Sequence, residues 1–432
     1  MIRFLLRPLA GCLVLASAAA FAADSSASGS LRAGAARIDI TPAPDAALPM
    51  SGYAGRIEGF KSIHDNLHVR AIVVDDGSQS AALIGVEVVG MSHAFWEKAS
   101  RRVTQETGIP TENILLAGTH THAAPAIGTY NERVEGEAAR AKRTAYVQKV
   151  EDAIVASVRQ AKTNLQPARM GYGTGQAKVN MNRRAPNGEG GWMLGNNPDG
   201  VSDKTVVVIK FETLAGEPFA IFSNYSVHGT VMGQGNLQIS ADLPGATARV
   251  VEQHYGDKVV SPWTSAAAGD QDPIYRTGTS FPNLAALGQV LGSEVIRVAD
   301  AIKTSPRGKI RALQKTISCP GKRTVQPPGK NREYKFEDAD PVSIRLSLLV
   351  INDIAIAGVS AEVLTNIASR LKLESPLTKT FMVTHCNGSS GYIPDDAAYD
   401  QVSYEITTTR VKRGCAENAI VNGFLEMIAQ VF

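Results

Sequence analysis

One stretch decides how the chain folds, Asn113-Ile-Leu-Leu-Ala-Gly-Thr-His-Thr-His-Ala-Ala-Pro125. The apolar run from Ile114 to Ala117, which ends at Gly118, predicts a buried strand. The strand leads directly into His120 and His122, whose spacing in extended backbone places both imidazoles on one face. Two histidines at the carboxyl end of a buried strand indicate a metal or acid–base site, and the alternative is a pair of solvated turn histidines.

The composition is that of a globular protein with enough chain for one large domain or two ordinary ones. The sequence has 432 residues, of which 44% are hydrophobic and 20% charged. The formal net charge is +3, and Arg3 and Arg7 supply two of these charges in a segment that we expect to be removed. So small a charge gives no basis for nucleic-acid binding, and no polybasic segment indicates attraction to anionic lipid. No later apolar run is long enough for a transmembrane helix.

Residues 1–22 have the features of a secretory signal peptide. Arg3 and Arg7 form a charged start, and the apolar run that follows, residues 9–20, is too short to span a bilayer. Ala20-Phe-Ala22 is a small-x-small cleavage site. We therefore expect an exported protein, either periplasmic or secreted.

A competing interpretation makes Cys12 the lipidated residue of a lipoprotein signal. It is less favoured because Arg7 and Pro8 leave almost no apolar segment ahead of that cysteine. Residues 23–34, which include a Ser-rich run, are predicted to form a flexible polar leader.

Three cysteines remain if Cys12 is removed with the signal: Cys319, Cys386 and Cys415. Because an exported protein meets an oxidising compartment, we expect one disulfide and one buried thiol. The sequence leaves the pairing open. None of the three has the spacing of zinc ligands, so their role is interpreted as structural.

Strand-like and helix-like segments alternate along the chain. Strands or extended segments are predicted at 36–42, 68–74, 80–89, 114–118, 205–211, 218–223, 258–268, 342–350 and 354–359. Helices are predicted at 92–107, 134–165, 242–255, 283–303, 362–373 and 417–431. This pattern indicates an α/β fold in which helices cover the faces of a β-sheet.

Two segments lack a clear periodicity. Residues 178–203 are rich in Asn, Gly and Pro and predict a long irregular segment of functional importance. Residues 320–340 are polar and linker-like. They do not mark a domain boundary, because candidate site residues fall on both sides of them.

Four further residues stand where they could complete a site with the two histidines. His228 follows an apolar strand and, taken alone, is equally well explained as a core histidine. Glu362 follows another strand, and its alternative role is that of a glutamate favoured by a helix dipole. Tyr392 and Tyr404 flank Ile393-Pro-Asp-Asp and taken alone are expected to be packing tyrosines.

Together these stretches resemble the neutral/alkaline (non-lysosomal) ceramidase family, secreted zinc-dependent amidases that cleave the N-acyl bond of ceramide. The resemblance is carried, in order, by Ile38-Asp-Ile-Thr-Pro42, His64-Asp65, Thr119-His-Thr-His122, Asn182-Arg183, Asn224-Tyr-Ser-Val-His228, Gly269-Asp270, Gly391-Tyr-Ile393 and Tyr404-Glu405. These short motifs extend over most of the mature chain, and the ordered set is far more specific than any one of them.

The resemblance implies an α/β fold of layered β-sheets flanked by helices, with a single large catalytic domain over residues 35–432. It also implies that zinc is held by His120, His228, Glu362 and Tyr392. Two imidazoles, a carboxylate and a weakly donating phenol leave zinc Lewis-acidic, so that it activates water near neutral pH.

The resemblance also implies which residues contact the scissile amide and the water. Tyr404 would stabilise the developing oxyanion, and His122, beside a ligand, suits proton transfer to the leaving amine. Arg183, in the long irregular segment, would bind a polar group of the substrate.

The sequence departs from the family pattern at Asp272. The family has a serine there, in Gly-Asp-x-Ser-Pro, as nucleophile or water-positioning residue, and this chain reads Gly269-Asp-Gln-Asp-Pro273. Asp272 could act as a base or select a cationic or hydroxylated head group, but it cannot donate a proton while ionised. Because the chain ends at Phe432, soon after Tyr404, we also expect the family's C-terminal β-sandwich domain to be missing.

The resulting hypothesis is an exported Zn²⁺-dependent amidohydrolase that converts a small lipid-like N-acyl substrate, of the ceramide type, to fatty acid and sphingoid base. One alternative is a zinc hydrolase of the same fold that acts on another small N-acyl, ester or lactone substrate. A further alternative is a non-catalytic exported binding protein, which the presence of all four candidate ligands argues against. The sequence gives no indication of the oligomeric state.

Overall fold

The structure, a computed structural model, describes residues 29–127, 137–274, 280–325 and 334–432. The predicted signal peptide with Cys12 lies outside these ranges, as do residues 23–28 of the predicted leader. None of the helices in the described ranges is both long and apolar enough to cross a lipid bilayer.

The strands of the described ranges are numbered in chain order. They are β1 Gly29–Ser30, β2 Arg32–Asp39, β3 Ser62–Ile63, β4 His68–Asp75, β5 Ser80–Val86, β6 Ile114–Gly118, β7 Gln166–Gln176, β8 Asn180–Pro186, β9 Trp192–Asn197, β10 Thr205–Thr213, β11 Pro218–Tyr225, β12 Gln238–Ile239, β13 Trp263–Ser265, β14 Gln271–Pro273, β15 Arg307–Gly308, β16 Ile310–Thr324, β17 Phe336–Ile351, β18 Ile354–Val359, β19 Glu362–Val363, β20 Lys379–Val383 and β21 Tyr392–Ile393.

The helices are numbered in the same way. They are α1 His93–Thr107, α2 Glu137–Thr163, α3 Asp242–His254, α4 Phe281–Ala301, α5 Thr365–Glu374, α6 Tyr404–Thr408 and α7 Ala416–Val431. The helix predicted at 92–107 is confirmed as α1, whose N-cap is Ser92, with its side chain accepting a hydrogen bond from the amide of Phe95. Gly108 ends the same helix in the left-handed conformation that glycine adopts most readily.

The larger sheet has eight strands in the order β13-β11-β10-β7-β2-β4-β5-β6. Neighbours are antiparallel except for the parallel pairs β13-β11 and β5-β6. Every residue of β5 and β6 is buried, as expected for strands covered on both faces. Helices α1 to α4 pack on one face.

A second sheet, in the order β16-β17-β18-β20, covers the other face of the larger one. Residues such as Leu349, Ile356 and Phe381 interdigitate with the large sheet. The opposite face of this second sheet packs against α5 and α7. The layers therefore run helix, sheet, sheet, helix, which confirms the predicted α/β fold of layered sheets flanked by helices.

The chain segments that leave β6, β11, β18 and β20 meet at one edge of the layers. The amide of Gly118 donates to the carbonyl of His385 at 3.1 Å, and the amide of His385 donates to Ala361 at 3.0 Å. Thr121 pairs with Gly229 in a parallel bridge. Residues that follow four separate strands are in this way brought together.

The segment 178–203, predicted to be irregular, contains the strands β8 and β9. The turn between them is closed by Asn187, whose side-chain oxygen accepts from the amides of Glu189 and Gly191. The strands themselves are held by amide side chains bonded to backbone, such as Asn197 to the carbonyl of Arg184 at 2.7 Å. The prediction was wrong because these strands are not stabilised by apolar alternation.

The segment 320–340, predicted to be linker-like, belongs to the long hairpin β16-β17 as far as it is described; residues 326–333 lie outside the described ranges. The strands continue into solvent with polar cross-strand pairs, such as Arg323 and Glu337, whose charged groups lie 2.8 Å apart. Such polar pairs give no hydrophobic pattern from which a strand could be predicted.

Two predicted boundaries also differ. Residues 29–34, assigned to the leader, already lie in or next to β1 and β2, and Leu31 is buried in the core. The helix predicted from Glu362 begins instead at Thr365, and Glu362 lies in the short strand β19, paired in parallel with β21. Glu362 is therefore not a residue favoured by a helix N-terminus.

Cys319 and Cys415 form a disulfide, and Cys386 is a buried free thiol. This confirms one disulfide and one buried thiol, and it resolves the pairing that the sequence left open. The disulfide joins β16 to the N-terminal end of α7, and it restrains the segment 409–415 that precedes this helix.

Replacing both Cys319 and Cys415 by alanine should lower the free energy of unfolding by about 2–4 kcal/mol, because the unfolded chain gains conformational freedom. Urea denaturation followed by circular dichroism measures the change. The wild type unfolded in the presence of reductant is the matched control and should lose a similar amount. Equal unfolding midpoints for the oxidised wild type and the double variant would contradict the prediction.

Candidate functional site

His120 follows β6 and is held in a left-handed conformation with φ of 68°. This conformation is uncommon for a residue with a side chain. The Nδ1 of His120 lies 2.7 Å from the carbonyl oxygen of Val89. A carbonyl only accepts, so Nδ1 carries the proton and Nε2 presents its lone pair.

His228, which follows β11, is fully buried and has the same arrangement. Its Nδ1 lies 3.0 Å from the carbonyl of Gln271, and its Nε2 lies 3.1 Å from Nη1 of Arg183. Because a guanidinium has only donors, Nε2 must accept. Burial, with the nearby Arg183 second, lowers the pKa of His228, so the ring is neutral.

Glu362 brings its carboxylate between the two imidazoles. Its Oε1 lies 2.7 Å from Nε2 of His228 and 3.3 Å from Nε2 of His120. With the imidazole protons on Nδ1, three atoms that bear lone pairs face one another without a proton between them. Such a set is favourable when a cation lies at its centre.

Tyr392 supplies a fourth oxygen. It is the register partner of Glu362 in the parallel pair β19-β21 and hydrogen-bonds to that carboxylate. Its hydroxyl also accepts from Nη2 of Arg183 at 2.9 Å. Burial raises the pKa of Tyr392, which leaves the phenol neutral. Two imidazoles, one carboxylate and one phenol form a donor set that fits a divalent metal with nitrogen and oxygen preference.

His122 lies beside this donor set. Its Nε2 is 3.2 Å from Nε2 of His120, and its pKa is lowered by burial and then by the neighbouring His120 and His228. The backbone around it is closely packed: Gly52 has φ of 98°, and a Cβ at that position would lie 2.4 Å from the ring of His122. Only glycine therefore allows this position of the imidazole.

Arg183 lies beside the donor set, on β8. Its Nε donates to Glu405 at 2.8 Å and its Nη1 to Asp272 at 3.3 Å, while Nη1 and Nη2 also contact His228 and Tyr392. Each of the three nitrogens thus contacts a protein group, and neither Arg183 nor Asp272 is among the residues that line the cavity described below. Both side chains are buried.

A cavity of about 450 Å³ opens above the donor set. Its lining residues in the described ranges are Ser51, Gly52, Val89, Gly90, Met91, Ser92, His120, His122, Ala126, Ile127, Glu362, His385, Ser389, Gly391, Tyr392, Tyr404, Thr408 and Arg410. Tyr404 is 42% exposed, and its ring packs edge-on against Tyr392, with the ring centroids 5.6 Å apart. The structure thus brings together all eight residues that the sequence analysis singled out.

Two residues of this site have no role in the sequence analysis. Glu405, fully buried, is the ion-pair partner of Arg183. His385 follows β20, stacks on His120 with centroids 3.8 Å apart, and groups with His120 and Glu362 closely enough to share a cation. The sequence contains a pattern that could have identified His385, because it follows an apolar strand as His120 and His228 do.

Comparison with known proteins gives this site a family context. A family profile described as neutral/alkaline non-lysosomal ceramidase, N-terminal, matches residues 31–281, more than half of the chain. The chain belongs to this ceramidase family.

Curated ceramidases support the same assignment. Neutral ceramidase A of Dictyostelium discoideum is 32% identical over 242 residues, which cover 52% of this chain and 32% of the relative. Neutral ceramidase of Pseudomonas aeruginosa is 28% identical over 253 residues, which cover 56% of this chain and 37% of the relative. The matched part therefore spans about a third of the length of these ceramidases.

The fold agrees with that of a crystallised member. The neutral ceramidase of Pseudomonas aeruginosa superimposes with a TM-score of 0.78 at 20% identity, over 93% of this chain and 74% of the crystallised chain. The layered α/β architecture is therefore that of the ceramidase family.

Substitution of His228 by alanine should abolish stoichiometric metal binding, because one of the two inward-facing imidazoles is lost. Elemental analysis of the purified protein, before and after dialysis against zinc, measures this. His254→Ala is the matched control, since His254 is an exposed histidine on α3 outside the donor set. Equal metal content in the two variants would remove His228 from the ligand assignment.

Proposed function

We propose that this protein is an exported zinc-dependent amidohydrolase that cleaves the N-acyl amide bond of a ceramide-like lipid, giving a fatty acid and a sphingoid base. The observation that carries the proposal is the convergence of His120, His228 and Glu362 at the base of a cavity, in a chain of the ceramidase family. The Cys319–Cys415 disulfide supports export, because structural disulfides are typical of oxidising compartments.

The proposed zinc ligands are His120, His228, Glu362 and Tyr392. When bound, zinc would lower the pKa of a coordinated water and polarise the amide carbonyl. The neutral state of His228, which follows from its burial, is the state that metal binding requires. The carbonyls of Val89 and Gln271 fix the orientation of the two rings before any metal arrives.

Two cavity-lining side chains are proposed to act on the substrate. His122 would receive a proton from the attacking water at its imidazole and return it to the nitrogen of the leaving amine. Tyr404, at the mouth, would donate its hydroxyl proton in a hydrogen bond to the carbonyl oxygen as negative charge develops there. Both residues line the same cavity as the candidate ligands, which is the support for these roles.

Arg183 and Asp272 are proposed to act through other residues. Asp272 and Glu405 flank the Arg183 guanidinium, which in turn contacts His228 and Tyr392. We therefore propose that Asp272, where the family likeness expects serine, is a positioning residue. This differs from the sequence hypothesis, in which Asp272 acts as a base or selects a head group.

The substitution at Asp272 also favours a second candidate, a zinc hydrolase of the same fold that acts on another small N-acyl compound, an ester or a lactone. The non-catalytic binding protein remains the third hypothesis. Hydrolysis of a fluorescent ceramide and of matched ester and lactone substrates, with and without chelator, separates the three. Ceramide turnover that is lost with chelator supports the proposal; turnover of the ester alone selects the second candidate; stoichiometric zinc with no turnover of any substrate selects the third.

Tyr404→Phe should lower kcat for the hydrolysed substrate by about two orders of magnitude, as removal of an oxyanion donor does elsewhere, while the metal content stays unchanged. Steady-state kinetics with parallel elemental analysis measures both. Tyr255→Phe is the matched control, because its hydroxyl donates to Asp300 on α4 and Tyr255 is not among the residues that line the cavity. A wild-type kcat for Tyr404→Phe would remove this residue from catalysis.

A further inference from the structure

Arg410 is the one arginine or lysine among the described residues that line the cavity. Its side chain is exposed. Within the described ranges no carboxylate lies within ion-pair distance of its guanidinium. Arg413, three residues on, differs in this respect: both of its terminal nitrogens pair with Asp400, at 2.6 and 2.9 Å.

The backbone holds Arg410 firmly at this place. Its carbonyl accepts from the amide of Lys322 at 2.7 Å, and the adjacent Val411 bridges to Gly321 on β16. The hydroxyl of Thr409 donates to the carbonyl of Tyr392 at 2.7 Å. The backbone that carries Arg410 is therefore tied to that of a candidate metal ligand.

The guanidinium lies beside the segment that carries a candidate ligand. The Nε of Arg410 is 3.9 Å from the position that a Cβ on Gly391 would take, and Gly391 directly precedes Tyr392. An anion bound by Arg410 would therefore lie in the same cavity as the candidate ligands.

The rest of the cavity separates into two kinds of surface. Val89, Met91, Ala126 and Ile127 provide an apolar wall that suits an acyl chain. Ser92, Ser389 and Thr408 also line the cavity, and the hydroxyl of Thr408 donates to the carbonyl of Tyr404 at 2.7 Å. The acidic group of the lining, Glu362, is engaged with the imidazoles.

From these observations we infer that the preferred substrate carries an anionic group next to the amide, as an N-acyl amino acid does, and that Arg410 binds its carboxylate. A guanidinium is matched in geometry and charge to a carboxylate and has no such match with the neutral diol of a sphingoid base. This inference rests on the proposed amidohydrolase activity, and it takes the substrate from the second candidate class, another small N-acyl compound, rather than from ceramide.

The reaction is an ordinary hydrolysis. The amide C–N bond breaks, a C–O bond forms from water, and the proton of water goes to the leaving nitrogen. The products are a fatty acid carboxylate and a free amino acid, and no oxidant or reductant is required.

The test compares N-lauroylglycine with N-lauroylethanolamine, which share the acyl chain and a two-carbon amine and differ in the carboxylate. The full chain should prefer N-lauroylglycine by about 10- to 100-fold in kcat/KM, the range expected for a hydrogen bond to a charged group. Arg410→Leu should remove this preference, mainly through KM, and Arg410→Lys should keep part of it. Arg413→Leu, which removes an already paired arginine of the same segment, should keep the wild-type ratio.

Calorimetric titration of the same two compounds provides a readout that does not depend on turnover. Tighter binding of N-lauroylglycine that is lost in Arg410→Leu supports the inference even where neither amide is hydrolysed. Whether the protein is an amidohydrolase is then decided separately, by the ceramide assay described above. Hydrolysis of both amides with equal kcat/KM and equal affinity would overturn the inference and leave the amidohydrolase function standing. Equal ratios in the wild type and Arg410→Leu would likewise overturn it.

Discussion

Asn387 makes three hydrogen bonds to β6. It thereby joins the edge of the larger sheet to the segment that follows β20 of the second sheet. Its side-chain oxygen accepts from the amide of Leu116, its side-chain nitrogen donates to the carbonyl of Ile114, and its own amide donates to Leu116. The backbone of Asn387 has a φ of 60°, in the left-handed region that residues other than glycine adopt less often. These bonds cover an otherwise exposed sheet edge and hold the residues after β20 against those after β6. Because Asn387 fixes this segment against β6, His385 lies against His120. The strand β19 lies beside both histidines.

The charges beneath the site are the second constraint. Arg183, Glu405 and Asp272 are all buried, and removing such charges from water is expensive. Apolar side chains of similar volume would in many proteins be as stable, so the cluster needs another explanation. The contacts of Arg183 with His228 and Tyr392 provide one, because a fixed guanidinium restricts the positions of the imidazole and the phenol at the same time. The cost of burying these charges is thus explained by their effect on the positions of the candidate ligands.

The sequence was most informative where a hydrophobic pattern and a chemical signature coincide. The buried strand that ends before His120, and the same sequence pattern at His228, predicted both the layered fold and the place of the site. The pattern failed where strands are polar. The hairpin that carries Arg183 depends on asparagine side chains bonded to backbone, and the outer part of the β16-β17 hairpin on charged pairs in solvent. Both were therefore predicted to be irregular or linker-like.

Other features depend on contacts between residues far apart in the chain, which no local pattern reports. Glu405 is 222 positions from Arg183, and the bond between them requires β8 and α6 to meet beneath the cavity. The same holds for Arg410. Its own neighbours in the sequence suggest only a basic turn, since Lys412 and Arg413 stand beside it. In the fold, however, Lys412 pairs with Asp338 and Arg413 with Asp400, while Arg410 turns to the cavity that holds the candidate ligands. These three neighbouring cations therefore differ in role. The surrounding fold provides Lys412 and Arg413 with carboxylate partners, whereas Arg410 lines the cavity.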